Sequence, residues 1–329
     1  MEAQVLRLGL VLGLLFLPLS AWASPRLARW IRARQHIRPE GPATHSPKAG
    51  TPTMGGLVPL ALILLGAALV WARAGLEGPS LFAVAAMGLG ALVGLLDDLQ
   101  AQRRARSTGF FPHQTLLSQL AAAALLIPLA LRSPPVLRLP FVDLGLVPPA
   151  WAWVPLLILG FLGTVNGVNL ADGLDGLATG LFLLAVLGLF PLLWAKPGLA
   201  ALALAALGAG LGFLWANAHP ARVFLGNVGA MGLGGLLFGL AWAAEGILFL
   251  PLVGGVFVLE ALSDILQVGS YKLTGVRLFK MSPFHHHLED GPVSWPHRLR
   301  SPRWPEPKVV MRLWVVGAAC ALLGILASL

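Results

Sequence analysis

Long apolar runs alternate with short polar stretches over the whole length of the chain. About ten of these runs approach the ~20 residues that a helix needs to cross roughly 30 Å of hydrocarbon. The predicted spans cover residues 5–23, 55–72, 79–96, 115–131, 151–168, 177–195, 198–215, 228–244, 247–268 and 309–329. We therefore predict an all-α integral membrane protein, with a single polytopic membrane domain over residues 1–329.

The composition supports this prediction. Hydrophobic residues make up 57% of the chain and charged residues only 11%, whereas a soluble domain carries about 25% charged residues. Cys320 is the only cysteine and lies in the last apolar run, so no internal disulfide can form and we expect its thiol to pack as a small apolar group. The net charge of +9 is explained by basic loops beside a membrane, so we expect no nucleic-acid partner.

The first run also has features of a cleaved signal peptide. Residues 20–24 form a small-x-small pattern of the kind that precedes signal cleavage. Arg7 is the only basic residue at the start of this run, and an Arg-rich stretch follows Ala23. These two features favour a retained first span.

Basic and chemically active side chains gather in the loops after the first, third, fifth, seventh and ninth spans. Most of the 23 Lys and Arg residues fall there, and the positive-inside rule places such loops in the cytoplasm. We therefore expect both termini outside and an active site at the cytoplasmic face. On the opposite side, residues 133–149 combine Pro pairs with alternating apolar positions, which predicts a small hairpin or coil.

Acidic groups stand where two of the predicted spans end. Residues 169–176 follow the fifth span and hold one Asn and two Asp residues beside glycines. Backbone groups freed there must find water, protein or ligand, so we interpret this stretch, the polar loop, as the floor of a site. Asp97 and Asp98 follow the third span, where a Mg²⁺ ion shared with a phosphate would offset their repulsion. A solvated helix end is the alternative.

Lysine and histidine side chains supply further candidates. Lys48 lies in a turn rich in Gly, Pro and Thr that could hold an anion near a helix N-terminus. His285, His286 and His287 are consecutive, so on regular backbone they cannot all face one ion. Contact with phosphate or sugar, with one imidazole free for proton transfer, is favoured over a transition-metal site.

Glu260 and Asp264 lie four residues apart on one face of the ninth span. Ionisable groups inside a span are costly, and we expect them to be functional. Hydrogen bonding to neighbouring helices, or support of the site from beneath, fits the same spacing.

Five motifs occur in order along the chain. They are Thr51-Pro52-Thr53-Met54-Gly55-Gly56, Asp97-Asp98, Asn169-Leu170-Ala171-Asp172-Gly173-Leu174-Asp175-Gly176, Phe224-Leu225-Gly226-Asn227-Val228-Gly229 and Pro283-Phe284-His285-His286-His287. Together they resemble the polyprenyl-phosphate N-acetylhexosamine-1-phosphate transferases. The triple histidine and the threonine-proline turn point within this superfamily to the phospho-N-acetylmuramoyl-pentapeptide transferases. The resemblance extends over essentially the whole chain.

The resemblance implies transfer of phospho-MurNAc-pentapeptide from UDP-MurNAc-pentapeptide to undecaprenyl phosphate. The products would be lipid I and UMP, in the first membrane step of peptidoglycan synthesis. It further implies Mg²⁺ as cofactor, the bacterial inner (cytoplasmic) membrane as location and a homodimer formed through apolar outer surfaces. An interfacial site suits this reaction, because the lipid phosphate stays at the membrane surface while the nucleotide sugar arrives from the cytosol.

Carried over residue by residue, the resemblance assigns catalytic roles to Asp97, Asp98, Asn227 and His286, and Mg²⁺ ligation to the first three. The substrate-binding positions are Lys48, Thr53, Asn169, Asp172, Asp175, Asn217, Phe224, Gln267, His285 and His287. Phe224 would stack on uracil, and Lys48 would lie near the diphosphate. Direct attack and a covalent aspartyl intermediate both stay open.

The chain departs from the family pattern at two positions. The family usually has Asp where this chain has Asn227, and that Asp is its most direct magnesium ligand. Weaker Mg²⁺ binding, or compensation by Asp97, Asp98 or Asp264, is expected. A lysine that often follows the acidic pair is also absent, with Ala101 near its place, so Arg103 or Arg104 would have to supply the positive charge.

Three other interpretations remain. A relative acting on UDP-GlcNAc shares most of the motifs, although we expect it to lack the histidine cluster. A secondary transporter also has about ten spans and intramembrane carboxylates, but it would carry them near the midplane and show internal symmetry. An impaired or inactive homologue is the third.

Overall fold

The computed structural model describes residues 1–33, 48, 50–104, 109–132, 134–291, 293 and 295–329. Residues 45–47 and 49 of the predicted anion-holding turn, and part of the predicted basic loops, lie outside this set. The described helices are α1 Glu2–Ile31, α2 Leu57–Ala74, α3 Gly78–Arg104, α4 Pro112–Arg132, α5 Ala150–Ala171, α6 Leu177–Trp194, α7 Pro197–Asn217, α8 Gly226–Ala243, α9 Leu250–Val253, α10 Gly255–Thr274, α11 Phe284–Leu288 and α12 Glu306–Ser328. The predicted all-α architecture is confirmed.

The membrane spans agree with the apolar runs in number. In the described part of the chain, nine helices are long and apolar enough to cross a membrane, and one bent pair would make ten. That pair is Ile247–Val253 with Gly255–Thr274, which bend by 81° at Gly254. The predicted ninth span is therefore broken, a feature that continuous hydropathy does not reveal.

Some helices continue well past the ends of their apolar runs, and α10 does so as far as Thr274. Helix α1 reaches Ile31 and α3 reaches Arg104, because hydropathy marks where hydrocarbon ends and not where backbone hydrogen bonding ends. Asp97 and Asp98 consequently lie within the last turns of α3 and not after it.

Helix α8 is the centre of the bundle, because 16 of its 18 residues are buried. It packs mainly against α3, while α1 packs against α7 and α12 against α6. Small residues allow such close contact, which replaces the hydrophobic driving force that is absent between helices in lipid. A Cβ atom at Gly94 would lie 2.1 Å from the carbonyl oxygen of Asn227, so this glycine sets the separation of α3 and α8 near the site.

The end of the bundle away from the polar loop carries the predicted hairpin. Strands β1 Leu137–Arg138 and β2 Gly145–Leu146 pair antiparallel, which confirms a hairpin there. The Glu245 carboxylate accepts from Lys196 at 3.0 Å and from Arg138 at 3.3 Å. Burial alone would raise the pKa of Glu245, but these two cations lower it below its usual value. The hairpin is thus tied to the ends of α6 and α8.

Both chain ends contact this same end of the bundle. The Arg73 guanidinium hydrogen bonds to Gln4 near the start of α1. The N–H of Phe141, in the hairpin, donates to the carbonyl of Ala327 at 2.9 Å.

Candidate active site

Asp98 caps the first turn of α8 from a neighbouring helix. Its two carboxylate oxygens accept the N–H groups of Asn227 at 3.1 Å and Val228 at 2.9 Å. The first N–H groups of a helix have no partner within the helix, and α8 has no side-chain cap of its own. Asp98 therefore satisfies two of these donors, and the positive end of the α8 dipole lies against its carboxyl group.

Asn227 bridges Asp97 to the polar loop. Its amide NH₂ donates to Asp97 Oδ2 at 2.5 Å, and its carbonyl oxygen accepts from the Asn169 amide at 2.8 Å. Asp97 Oδ1 also accepts the N–H of Phe110 at 2.7 Å. We call Asp97, Asp98, Asn169 and Asn227 the acidic clamp. It joins α3, α5 and α8 at one point.

The acidic clamp does not present an open set of metal ligands. Each of the four oxygens of Asp97 and Asp98 already accepts a hydrogen bond, and the Asn227 amide stands against Asp97 as a donor. A cation between these residues would have to displace that amide, since Mg²⁺ requires oxygen ligands in near-octahedral geometry. Mg²⁺ ligation by these residues stays a prediction.

Arg104, one of the two arginines expected to supply positive charge beside the acidic pair, contacts the residues that follow α3. Arg104 donates to the carbonyl of Gly109 at 3.3 Å, and its guanidinium lies 5.7 Å from the Phe111 ring. These contacts hold the chain after α3 against the end of the helix, where Phe110 reaches Asp97.

Lys48 is held by two carboxylates from distant parts of the chain. Its ammonium lies 2.7 Å from Asp175 Oδ1 and 2.5 Å from Glu306 Oε1. The Phe224 ring centroid is 6.0 Å from the same ammonium, within the range of a cation–π contact. The structure thus brings together three predicted substrate-binding residues, Lys48, Asp175 and Phe224.

Glu306 and His219 complete this group, and neither was predicted. Glu306 Oε1 also accepts the N–H of Asp175 at 2.8 Å, and His219 Nδ1 lies 3.2 Å from Asp175 Oδ2. We call Lys48, Asp175, His219 and Glu306 the lysine cluster. Ligand atoms of its two carboxylates and its imidazole lie within 4.8 Å of one another, close enough to hold a metal ion, although the Lys48 ammonium already balances much of their charge.

The polar loop lies between the acidic clamp and the lysine cluster. Asp172 is its central carboxyl, and burial raises its pKa well above the usual value. The nearby charges of Asp98 and Asp175 raise it further, while Lys48 opposes them. A carboxyl perturbed by burial and by neighbouring carboxylates is typical of functional sites.

The histidine segment, α11, packs directly on this loop. A Cβ atom at Gly173 would lie 2.3 Å from His285 Nε2, so only glycine leaves room for the ring. His285 is fully buried, and its Nδ1 lies 3.1 Å from Glu260 Oε2. Burial by itself lowers the pKa of His285, but the Glu260 carboxylate more than offsets this and the pKa is raised.

The other two histidines face different partners, as their adjacency predicts. His286 Nδ1 lies 2.6 Å from Glu289 Oε2, and the side chain of His286 stays partly exposed. His287 Nδ1 accepts the N–H of Lys280 at 3.1 Å. Burial, together with His297 and Lys280, lowers the pKa of His287, so His287 is neutral at physiological pH and His286 is the histidine that remains accessible.

Three predicted substrate-binding residues do not present free polar groups to the site. Two of them hydrogen bond to the backbone, and the third is buried. Asn217 accepts the N–H of Gly176 at 3.2 Å and donates to the carbonyl of Val223 at 2.9 Å. Gln267 exchanges two hydrogen bonds with the backbone of Phe279, at 2.8 and 3.1 Å. Thr53 is buried. These residues support the walls around the polar loop.

Comparison with known proteins identifies the family. Residues 80–245 match Glycosyl transferase family 4. The phospho-N-acetylmuramoyl-pentapeptide-transferase of Thermodesulfovibrio yellowstonii is 39% identical over 329 aligned residues, covering 92% of this chain and 88% of that protein. The chain belongs to the phospho-N-acetylmuramoyl-pentapeptide-transferase family. Enzymes of the same name from Desulfitobacterium hafniense and Pelobacter propionicus are 39% and 38% identical, over 99% and 91% of this chain.

Membership of the phospho-N-acetylmuramoyl-pentapeptide-transferase family confirms the resemblance read from the five motifs. It also confirms that the chain is a transferase and not a transporter. The match to the Desulfitobacterium hafniense protein covers 99% of this chain and 96% of that protein, so it extends across the acidic clamp, the polar loop and the histidine segment alike, while the Pelobacter propionicus match covers 86% of its protein.

Proposed function

We propose that this protein transfers phospho-MurNAc-pentapeptide from UDP-MurNAc-pentapeptide to undecaprenyl phosphate, forming lipid I and releasing UMP. The names of its relatives supply the reaction class. One structural observation carries the proposal. The polar loop supplies Asn169 to the acidic clamp and Asp175 to the lysine cluster, and its Gly173 packs against His285 of the histidine segment. Charged groups that are far apart in sequence therefore face one small region, as a sugar diphosphate requires.

In this proposal an oxygen of the lipid phosphate attacks the β-phosphorus of the donor, the bond to the α-phosphate breaks, and UMP leaves. Lys48 moves from its carboxylate partners to the donor phosphates, where its charge is stabilising. Asp97 takes up the proton of the lipid phosphate, because a carboxylate and a fully ionised phosphate would repel each other. His286 donates a proton to the α-phosphate oxygen as UMP leaves, because it is the accessible histidine and Glu289 fixes its ring.

The uridine end of the donor binds on the side of the lysine cluster. Phe224 offers its ring face to uracil, beside Asp175 and the amide of Asn217. Asn169 and Asp172 line the path between this pocket and the acidic clamp. Gln267, His285 and His287 hold the opposite wall through their backbone contacts.

We place the site at the cytoplasmic face of the bacterial inner membrane, with both termini outside. The support is that most of the described basic residues of the loops lie at the site end, while Arg138 and Lys196 lie at the hairpin end that Gln4 and Ala327 contact. We further propose one polytopic domain and a homodimer. Crosslinking of the purified protein in lipid nanodiscs tests the dimer, since a monomer alone would contradict it.

Two assays separate the enzyme interpretations. Purified protein is incubated with undecaprenyl phosphate and either UDP-MurNAc-pentapeptide or UDP-GlcNAc, and UMP release and labelled lipid are measured. The proposal predicts both products with the first donor and neither with the second. Turnover of UDP-GlcNAc alone would replace the proposal with its closest alternative.

A further inference from the structure

The segment between the histidine segment and α12 is fastened along its length. We call residues 295–305 the basic arm, and none of these residues is helical. The N–H groups of Arg298 and Leu299 donate to the carbonyls of Arg277 and Leu278 at 3.1 and 3.0 Å. The Trp304 N–H donates to the carbonyl of Leu288 at 2.8 Å. The arm therefore holds a fixed path beside the site.

The basic arm runs along the rim of the candidate active site. Near its middle, the Ser301 hydroxyl donates to the carbonyl of His287 at 2.7 Å. Its last residue, Pro305, precedes Glu306, whose carboxylate belongs to the lysine cluster. The arm thus extends from the histidines to the ammonium that we assign to the donor phosphates.

Three arginines of the arm are exposed and make no ion pair with a carboxylate of the described residues: Arg298, Arg300 and Arg303. Other arginines nearby are engaged with aromatic rings. The Arg277 guanidinium lies 4.1 Å from the Trp295 ring, and that of Arg312 lies 3.9 Å from the Trp304 ring. Three uncompensated guanidinium groups on a fixed backbone form a surface suited to carboxylates, which they bind in planar, bidentate geometry.

We propose that the basic arm is the subsite for the acidic peptide of the donor. This inference rests on the proposed function, in which the donor carries a peptide on its sugar. A peptide joined to the sugar through its N-terminus keeps a free carboxylate at its other end. Because the diphosphate is held between the lysine cluster and the histidine segment, a chain leaving the sugar passes over the rim that the arm forms.

The backbone contacts of the arm favour this ligand over an anionic membrane surface. The arm is fastened to the residues that follow α10 and to the histidine segment, and the Ser301 bond turns it toward the site. A surface that only binds headgroups needs no fixed register with catalytic residues.

The test compares donors with and without the peptide. The variant R298Q/R300Q/R303Q is assayed for the KM of UDP-MurNAc-pentapeptide and for the inhibition constant of peptide-free UDP-MurNAc as a competitor. We expect the KM to rise about fivefold or more, as the loss of several exposed ion pairs would give, and the inhibition constant to stay unchanged. The control R26Q/R29Q/R32Q removes the same charge from the last turns of α1 and its C-cap, and should change neither value.

Three results would overturn the inference. Equal weakening of both ligands would mean that the arm reads the nucleotide sugar or stabilises the fold. An unchanged KM, with weaker binding to vesicles containing anionic lipid, would assign the arm to the membrane surface. If the unaltered protein releases no UMP, the proposed function itself fails and the subsite fails with it.

Discussion

Replacing Asn227 by Asp should make the stability of the acidic clamp depend on a bound cation, because a hydrogen bond to Asp97 is replaced by the repulsion of two carboxylates. The amide NH₂ of Asn227 lies 2.5 Å from Asp97 Oδ2, so the substitution puts two carboxylates within about 3 Å. Their repulsion is roughly 5 kcal/mol at an effective dielectric of about 20. The charge-assisted bond to Asp97, worth about 1.5–3 kcal/mol, is also lost.

Proton uptake limits this cost, because one of the two carboxyl groups can bind a proton and become neutral. Protonating a carboxyl group costs about 1.4 kcal/mol for each pH unit above its ordinary pKa. We therefore expect a net loss of about 4 kcal/mol near neutral pH. With an unfolding entropy of about 2.1 cal/mol/K per residue, the thermal midpoint falls by roughly 6 °C. The midpoint is read from tryptophan fluorescence, for which the chain offers 11 Trp residues.

Mg²⁺ should restore most of this loss in Asn227→Asp and change the unaltered protein little. Three neighbouring carboxylates bind a divalent cation, and ligand binding to the folded state raises its stability. Asn227→Ala is the matched control, because it loses the same bonds without gaining a charge and should stay destabilised at any Mg²⁺ concentration. Equal Mg²⁺ stabilisation of both proteins, or an unchanged Mg²⁺ dependence of transfer in Asn227→Asp, would refute this reasoning.

Three further substitutions test the remaining groups of the site. Glu306→Gln removes one of the two carboxylates that position Lys48. The KM for the nucleotide donor should rise about tenfold, or ~1.4 kcal/mol. An unchanged or lower KM would show that Glu306 does not position Lys48 for the donor. Asp172→Asn should raise the thermal midpoint at pH 8 and lose this advantage as the pH falls toward about 4. The reason is that the pKa of Asp172 is raised in the folded state, so the folded protein loses stability as the pH rises and Asp172 ionises. A difference in thermal midpoint that does not depend on pH would contradict the raised pKa of Asp172. Glu260→Gln should destabilise the protein most below pH ~6.5. The Glu260 carboxylate raises the pKa of His285, and the stability that this gives is present below pH ~6.5 and is lost at higher pH. A loss of stability that grows with pH would exclude an ion pair between Glu260 and His285.

The sequence predicts the spans and the polar ends of the bundle, because hydrocarbon thickness imposes run lengths that can be read directly. It does not predict the break at Gly254, since the hydropathy of the ninth run continues through the bend. It also misplaces the end of α3. Whether an Asp at a span boundary is helical depends on its capping partners, and those partners lie on another helix.

The residues of the site could be predicted by type, but not by partner. Lys48 and Glu306 are 258 positions apart, and no periodicity connects them. The Pro-Glu-Pro start of the last span is a helix N-terminus signal, but it does not say that the carboxylate faces a lysine. Likewise, Asp98 has the chemistry of a metal ligand, whereas its hydrogen bonds to α8 belong to a helix cap. Only the packing of α3 against α8 distinguishes the two.

The central claim is that the three groups around the polar loop act on one nucleotide-sugar diphosphate. The most direct measurement is UMP release from UDP-MurNAc-pentapeptide with undecaprenyl phosphate, by the unaltered protein and by Lys48→Ala, Asp97→Ala and His286→Ala. The account predicts stoichiometric UMP and lipid product from the unaltered protein and at least a hundredfold slower release from each variant, as the loss of one charge-stabilising or proton-transfer group typically gives. Undiminished release from any of these variants, or no UMP from the unaltered protein, would contradict it.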